Sequence, residues 1–156
     1  MICIEIPGME KKQIRHLVFD YNGTIAIDGV LIPGVKEEIQ LLSGTVACHI
    51  ITADTFGFVA EQVSDIDCDV MIIPAGNQAR QKQNFISGLG AGHTLCAGNG
   101  VNDVLMLKDA AIGIAVLQEE GLSVKALLAA DLVVKNILDL FGLLKTPERL
   151  MATLRN

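Results

Sequence analysis

The sequence predicts an α/β protein: a parallel sheet covered by helices on both faces. Short aliphatic runs recur along its 156 residues, each too short to be a helix. Longer segments with helical spacing separate them, and the connections are short, which favours right-handed crossovers between parallel strands.

In chain order, residues 2–6 alternate apolar with Cys and Glu and stop at Pro7-Gly8, the pattern of an edge strand. Strand-like runs follow at 16–19, 46–51, 70–73, 94–97, 112–116 and 132–134. Helical segments lie between them at 34–43, 55–65, 77–89, 101–110 and 122–130. Pro33-Gly34 is a turn before the first helix, Asp54 or Thr55 caps the second, and Gly76 or Asn77 caps the third. Asp28-Gly29 between two apolar runs, 25–27 and 30–32, predicts a hairpin placed as a flap beside Asp20. The tail, 136–155, has helical spacing broken at Thr146-Pro147, with Thr146 as cap and Pro147 at the first helical position.

Composition bounds the function. The chain is 51% hydrophobic and 19% charged, so it folds, and its length suits one domain over 1–156. Aromatics are 4% with no Trp, so the core is aliphatic. A net charge of -6 argues against sequence-independent nucleic-acid binding. No apolar run approaches the roughly 18 residues of a membrane span, and the N-terminus lacks a signal-peptide pattern, so the expectation is a cytoplasmic protein without a membrane partner. Cys3, Cys48, Cys68 and Cys96 form no C-x-x-C pair and read as buried free thiols of a reducing compartment.

Chemistry concentrates at strand ends. The run 17–19 ends in Asp20, then Tyr21-Asn22-Gly23-Thr24; downstream comes Gly98-Asn99-Gly100-Val101-Asn102-Asp103. In a parallel sheet both segments lie at carboxyl ends of strands, where such sheets bind ligands. Asp20 can attack phosphorus or hold a metal, and Asp103 can anchor Mg²⁺ directly or through water. Thr52, with the backbone N–H of Ala53 at the next helix start, can bind phosphoryl oxygens, and Lys82 can hold phosphate charge. Taken singly, each has a plainer role: a strand-end cap, a turn threonine, a solvated lysine.

Taken in order, Asp20-x-x-Gly-Thr, Thr52, Lys82 and Gly98-x-Gly-Val-Asn-Asp103 resemble the four signature motifs of the haloacid dehalogenase superfamily. The stretch from Ala97 to Val116, Thr52-Ala53-Asp54 and Ala129-Ala130-Asp131-Leu132-Val133-Val134 further resemble the phosphorylation domain of P-type ATPases. The resemblance covers about residues 15–135. It implies a three-layer Rossmannoid fold, Asp20 as nucleophile, phosphoryl transfer through an aspartyl phosphate, and Mg²⁺ held by Asp20, Asn22, Asn99 and Asp103. Catalysis falls to Asp20, Asn22, Thr52 and Lys82, and phosphate binding to Asp20, Thr52, Ala53 and Lys82. Residues 25–50 and 53–82 leave no room for a cap domain, and the chain has neither the nucleotide-binding insertion nor the membrane helices of an ion pump. Uncapped relatives act on macromolecules or close their sites as homo-oligomers.

Two positions depart from the pattern. Asn22 stands where the phosphatases have an acid–base Asp, although the metal contact there uses the backbone carbonyl; Asn99 stands where they have a metal-binding Asp. An amide does not titrate near neutral pH, and acid–base help is worth about 10²–10⁴-fold, so turnover is expected to be slow and the phosphoenzyme long-lived. The leading expectation is therefore a Mg²⁺-dependent phosphatase with weakened turnover on an unidentified phosphorylated substrate. The alternative is a binding or regulatory protein that keeps the fold; a dehalogenase, whose chemistry works without metal under a cap, fits least.

Overall fold

The computed structural model describes residues 1–8, 10–54 and 57–155. Two short strands, β1 (Ile2–Ile4) and β2 (Lys12–Ile14), open the chain as an antiparallel pair. Then follow β3 (His16–Phe19), a second antiparallel pair β4 (Ala26–Ile27) and β5 (Val30–Leu31), α1 (Val35–Ser43), β6 (Ala47–Thr52), α2 (Val59–Gln62) and β7 (Asp69–Ile72). The second half runs α3 (Gln78–Leu89), β8 (Thr94–Gly98), α4 (Val104–Asp109), β9 (Ile112–Val116), α5 (Val124–Ala129), β10 (Leu132–Val134), α6 (Ile137–Lys145) and α7 (Pro147–Leu154).

The six aliphatic runs pair in the order β10-β9-β8-β3-β6-β7, every pair parallel. The alternation of side chains divides the core in two. Leu17 and Phe19 join Ile50, Ile114 and residues of α1, α2, α6 and α7 on one face. Val18, Ile51 and Cys96 join α3, α4 and α5 on the other. This is the three-layer architecture expected. Strand order reverses at β3: β6 and β7 lie to one side of it, and β8 opens the other side. The crevice at the carboxyl ends of β3 and β8 is thus the switch point where such sheets take ligands.

Residues 2–6 do contain a strand, but it pairs with β2 in a sheet of its own instead of extending the large one. The second helix is shorter than 55–65, spanning Val59–Gln62. Thr55 lies outside the described residues; the N-cap is Phe58 and not Asp54, although Asp54 Oδ1 accepts from the N–H of Phe58 and Val59 at 3.1 and 3.3 Å. The segment 101–110 starts as a 3₁₀ turn, Val101–Asp103, before becoming α4. Asn77 precedes α3 with φ 47 but makes no side-chain cap, and Thr146 likewise precedes Pro147 without capping through its hydroxyl. The hairpin after Asp20 is β4–β5, tied down by Tyr21 Oη donating to Gly29 O and by Asp28 N–H donating to Glu120 Oε1. Between β3 and α3 the described residues hold no cap domain, and no helix among them is long and apolar enough to cross a membrane.

The helix face over β6 carries one polar surprise. His49 is buried beside His16, with 3.0 Å between His16 Nδ1 and His49 Nε2, and Phe85 stands edge-on to its ring. Asp69 Oδ2 lies 3.2 Å from His49 Nδ1. Burial pushes His49 below its ordinary pKa; Asp69 opposes this and His16 adds to it. His16 is lowered too, by burial and then by Arg15 and His93. The folded state therefore refuses a proton that the unfolded chain accepts. Stability is full above the unfolded pKa of about 6.5 and falls as pH drops through that value, by at most about 1.4 kcal/mol per pH unit for each group. Asp20, raised to about 6, works in the opposite direction over the same range, so the histidine effect is read by difference: between pH 7.5 and pH 5.5 the wild type should lose more stability in urea than His49→Gln does.

Candidate active site

Three charged side chains that are far apart in sequence meet at the switch point. Lys82 Nζ donates to Asp20 Oδ1 at 2.5 Å and to Asp103 Oδ1 at 2.7 Å. Asp20 is 6% exposed, and Lys82 and Asp103 are 0%. Each arrives on a different element. Asp20 follows β3, its N–H still laddered to Ala97 O of β8 at 3.0 Å. Lys82 projects from the first turns of α3, and Asp103 ends the 3₁₀ turn after β8.

Asp103 also builds its own turn: its Oδ2 accepts from the N–H of Asn99 at 3.0 Å and of Gly100 at 2.8 Å. Gly98 is required for this, because a Cβ there would stand 2.5 Å from Asp103 Cγ. Gly23, at φ +77, lies against the Asn99 side chain, so the loops after β3 and β8 touch. Thr24, fully buried, joins them chemically: its hydroxyl lies 3.2 Å from Asp20 Oδ2 and 3.3 Å from Asn99 Oδ1. Asn99 Nδ2 donates to Gly121 O at 2.9 Å. Gln118 holds the first loop from below, donating to Thr24 O at 2.5 Å and accepting from Ile137 N–H at 3.1 Å.

Of the residues singled out from the sequence, Asp20, Lys82, Asp103 and Asn99 thus form one bonded cluster. Thr52 is buried at the carboxyl end of the neighbouring β6, where its Oγ1 accepts from Asp54 N–H at 3.0 Å; it and Ala53 stand beside the cluster without a hydrogen bond to it. Asn22 bridges to Ala26 through its backbone, and its Oδ1 is buried without a partner among the described residues. Asn102 orders the turn by donating to Gln78 Oε1 at 3.0 Å. Thr24 and Gln118 were missed by sequence reasoning. Thr24 carried a signal, its place in the Asp20-x-x-Gly-Thr motif; Gln118 carried none, since only the fold brings it under that loop.

The electrostatics follow from burial. Two carboxylates face one ammonium, leaving one negative charge uncompensated. Burial, then the Asp103 carboxylate, pushes Asp20 up to about 6 against the pull of Lys82. Burial by itself would strip the proton from Lys82, but Asp20 and Asp103 outweigh it and keep the ammonium above its ordinary range. Among the described residues no three Asp, Glu, His or Cys gather to hold a metal. The surplus charge, the two carboxylates and the neutral oxygens of Asn99 and Asn22 nonetheless fit a hard cation, which takes one or two carboxylates and completes its shell with substrate and water.

This arrangement can be compared with known proteins. No family model matches the chain. A 3-deoxy-D-manno-octulosonate 8-phosphate phosphatase from Moraxella catarrhalis, solved in complex with magnesium ion, phosphate ion and KDO, superposes with a TM-score of 0.70 at 14% identity, over 92% of this chain and 95% of that one. A putative haloacid dehalogenase superfamily hydrolase from Legionella pneumophila superposes at 0.72 and 16% identity, over 92% and 88%. The chain has the haloacid dehalogenase fold. In sequence it is 30% identical over 125 residues to a soluble P-type ATPase-like phosphatase of Methanocaldococcus jannaschii, covering 78% of this chain; it spans 46% of that relative's length. It is also 47% identical over 62 residues to an uncharacterized protein of the same organism, covering 40% of this chain and 67% of that one.

Removing the central cation tests the cluster. Lys82→Met should destabilise the protein by about 3–5 kcal/mol in urea unfolding, because it strands two buried carboxylates. Adding Asp20→Asn should recover part of that loss, a non-additivity that separate sites do not show.

Proposed function

We infer that the protein is a Mg²⁺-dependent phosphohydrolase that works through a phosphorylated Asp20. One observation carries this reading: a buried carboxylate at the switch point, hydrogen-bonded to a lysine that a second carboxylate also holds. The relative named as a soluble P-type ATPase-like phosphatase, and the magnesium and phosphate in the Moraxella catarrhalis structure, support it.

Asp20 carries the nucleophilic oxygen, and Lys82 keeps that carboxylate oriented while offsetting charge on the incoming phosphoryl group. The Thr52 hydroxyl and the Ala53 N–H bind phosphoryl oxygens. Asp20, Asp103, the Asn99 amide oxygen and the Asn22 backbone carbonyl would hold Mg²⁺, which supplies positive charge against the phosphoryl oxygens when bound. The single Thr24 hydroxyl hydrogen serves either the second Asp20 oxygen or Asn99 Oδ1. The P–O bond forms at Asp20 as the ester oxygen leaves; water then cleaves the acyl phosphate and frees the carboxylate.

Asn22 supplies no proton to the leaving group and takes none from water, so both steps run without acid–base help from that position. A second reading, a binding protein on the same fold, draws on that substitution together with Asn99. Hydrolysis of an aryl phosphate, with and without Mg²⁺, separates the two. Slow, metal-dependent turnover that Asp20→Asn abolishes is the expected result; equal rates in wild type and variant reject the enzyme reading. Asn22→Asp should raise turnover at least about tenfold, and an unchanged rate would remove Asn22 from the leaving-group position.

A further inference from the structure

We propose that Cys48 and Cys68 form a thiol pair that closes to a disulfide, a modification site at the opposite end of the sheet from Asp20. The pairing register brings them together. His49 and Asp69 are the first rung between β6 and β7, and Cys48 and Cys68 each directly precede a member of that rung. Paired strands lie about 4.7–4.9 Å apart, within the Cα separation of about 4.4–6.8 Å that a disulfide spans, and the two cysteines sit one residue before such a pair. The two side chains also share a face. Cys48 belongs to the core under α1 and α2, and Cys68 packs against that same core. Both line one surface cavity with Arg15, Thr45 and Asp67. Both are free thiols in the structure.

Their unequal exposure orders the reaction. Cys68 is half-buried and Cys48 buried, so an oxidant meets Cys68 first. With hydrogen peroxide as oxidant, the Cys68 thiolate attacks one peroxide oxygen. The O–O bond breaks, hydroxide departs and becomes water, and Cys68 becomes a sulfenic acid. Cys48 then loses its proton and attacks the Cys68 sulfur; the S–O bond breaks and a second water leaves. The two sulfurs give up two electrons, and the peroxide takes both.

Burial sets the pace. It pushes the Cys48 thiol up to about 12, with Cys68 adding to the effect, and the Cys68 thiol up to about 11, with Asp69 and Asp67 adding there. Thiolate is therefore scarce at neutral pH, and closure is slow. The pair acts as a staple that accumulates under sustained oxidation, and it ties β7, the outermost strand on its side, to β6. Thr52 lies at the other end of β6, so the phosphate-binding region is left in place.

Peptide mapping tests this. No Lys or Arg lies between Lys36 and Arg80, so an Asp/Glu-specific protease is needed to part the two cysteines. After prolonged treatment with hydrogen peroxide at pH 8.5, the wild type should yield one linked pair of peptides containing Cys48 and Cys68, reversed by dithiothreitol, while Cys3, which is exposed and not buried as the sequence suggested, oxidises separately. The rate should rise about tenfold per pH unit between pH 7 and 9. The thermal midpoint should rise by about 5 °C or more. Cys68→Ser and Cys48→Ala should each abolish the link, and the wild-type map decides the matter if the buried variant fails to fold. Separate sulfinic acids at the two positions, a bridge to Cys3 or Cys96, or two unreacted thiols would overturn the proposal.

Discussion

The ammonium of Lys82, wedged between Asp20 and Asp103, is the contact on which the rest of this site depends. A lysine so deep in a protein would lose its proton unless carboxylates repaid the lost hydration. Two carboxylates so close would repel unless a cation stood between them. Each charge is tolerable only because the others are present. The strand, the helix and the turn that carry them are fixed in relative position by this mutual need as well as by their apolar faces.

The loops around this cluster add neutral contacts to its three charges. The Asn99 amide meets Thr24 on one side and Gly121 O on the other, so it ties loops together without adding charge. Asn22 keeps a buried oxygen with no donor among the described residues. With acids at both positions, the pocket would hold four carboxylates against one lysine. The asparagines add no charge to that repulsion.

Much of the fold was legible because aliphatic runs of strand length alternate with helical periods, and a doubly covered parallel sheet is the arrangement that buries both. Asp20 and Asp103 were legible because each breaks such a pattern at a strand end beside glycine. Lys82 was harder: its surroundings, Arg80-Gln81-Lys82-Gln83, read as a solvated helix face, and only the family pattern lifted it out. Other features require knowledge of register or of distant neighbours. The partner of β1 could not be read because β2 is three residues of Lys-Gln-Ile with no apolar pattern. The second helix is shorter than its window because it starts only after Phe58, whose N–H is taken by the Asp54 side chain. Cys48 and Cys68 looked unrelated along the chain, since a rung between parallel strands leaves no local trace.

The pairing of β3 with β8, His16 opposite Thr94, also bears on how the chain reaches this state. That ladder closes a long loop, and slow folding is the usual cost of contacts so distant along a chain. Asp20 directly follows one strand of that ladder and Asp103 lies in the turn after the other, with Lys82 on a helix inside the loop. Until that loop closes, the two carboxylates remain hydrated and apart, so the charged cluster cannot be complete before the central ladder is.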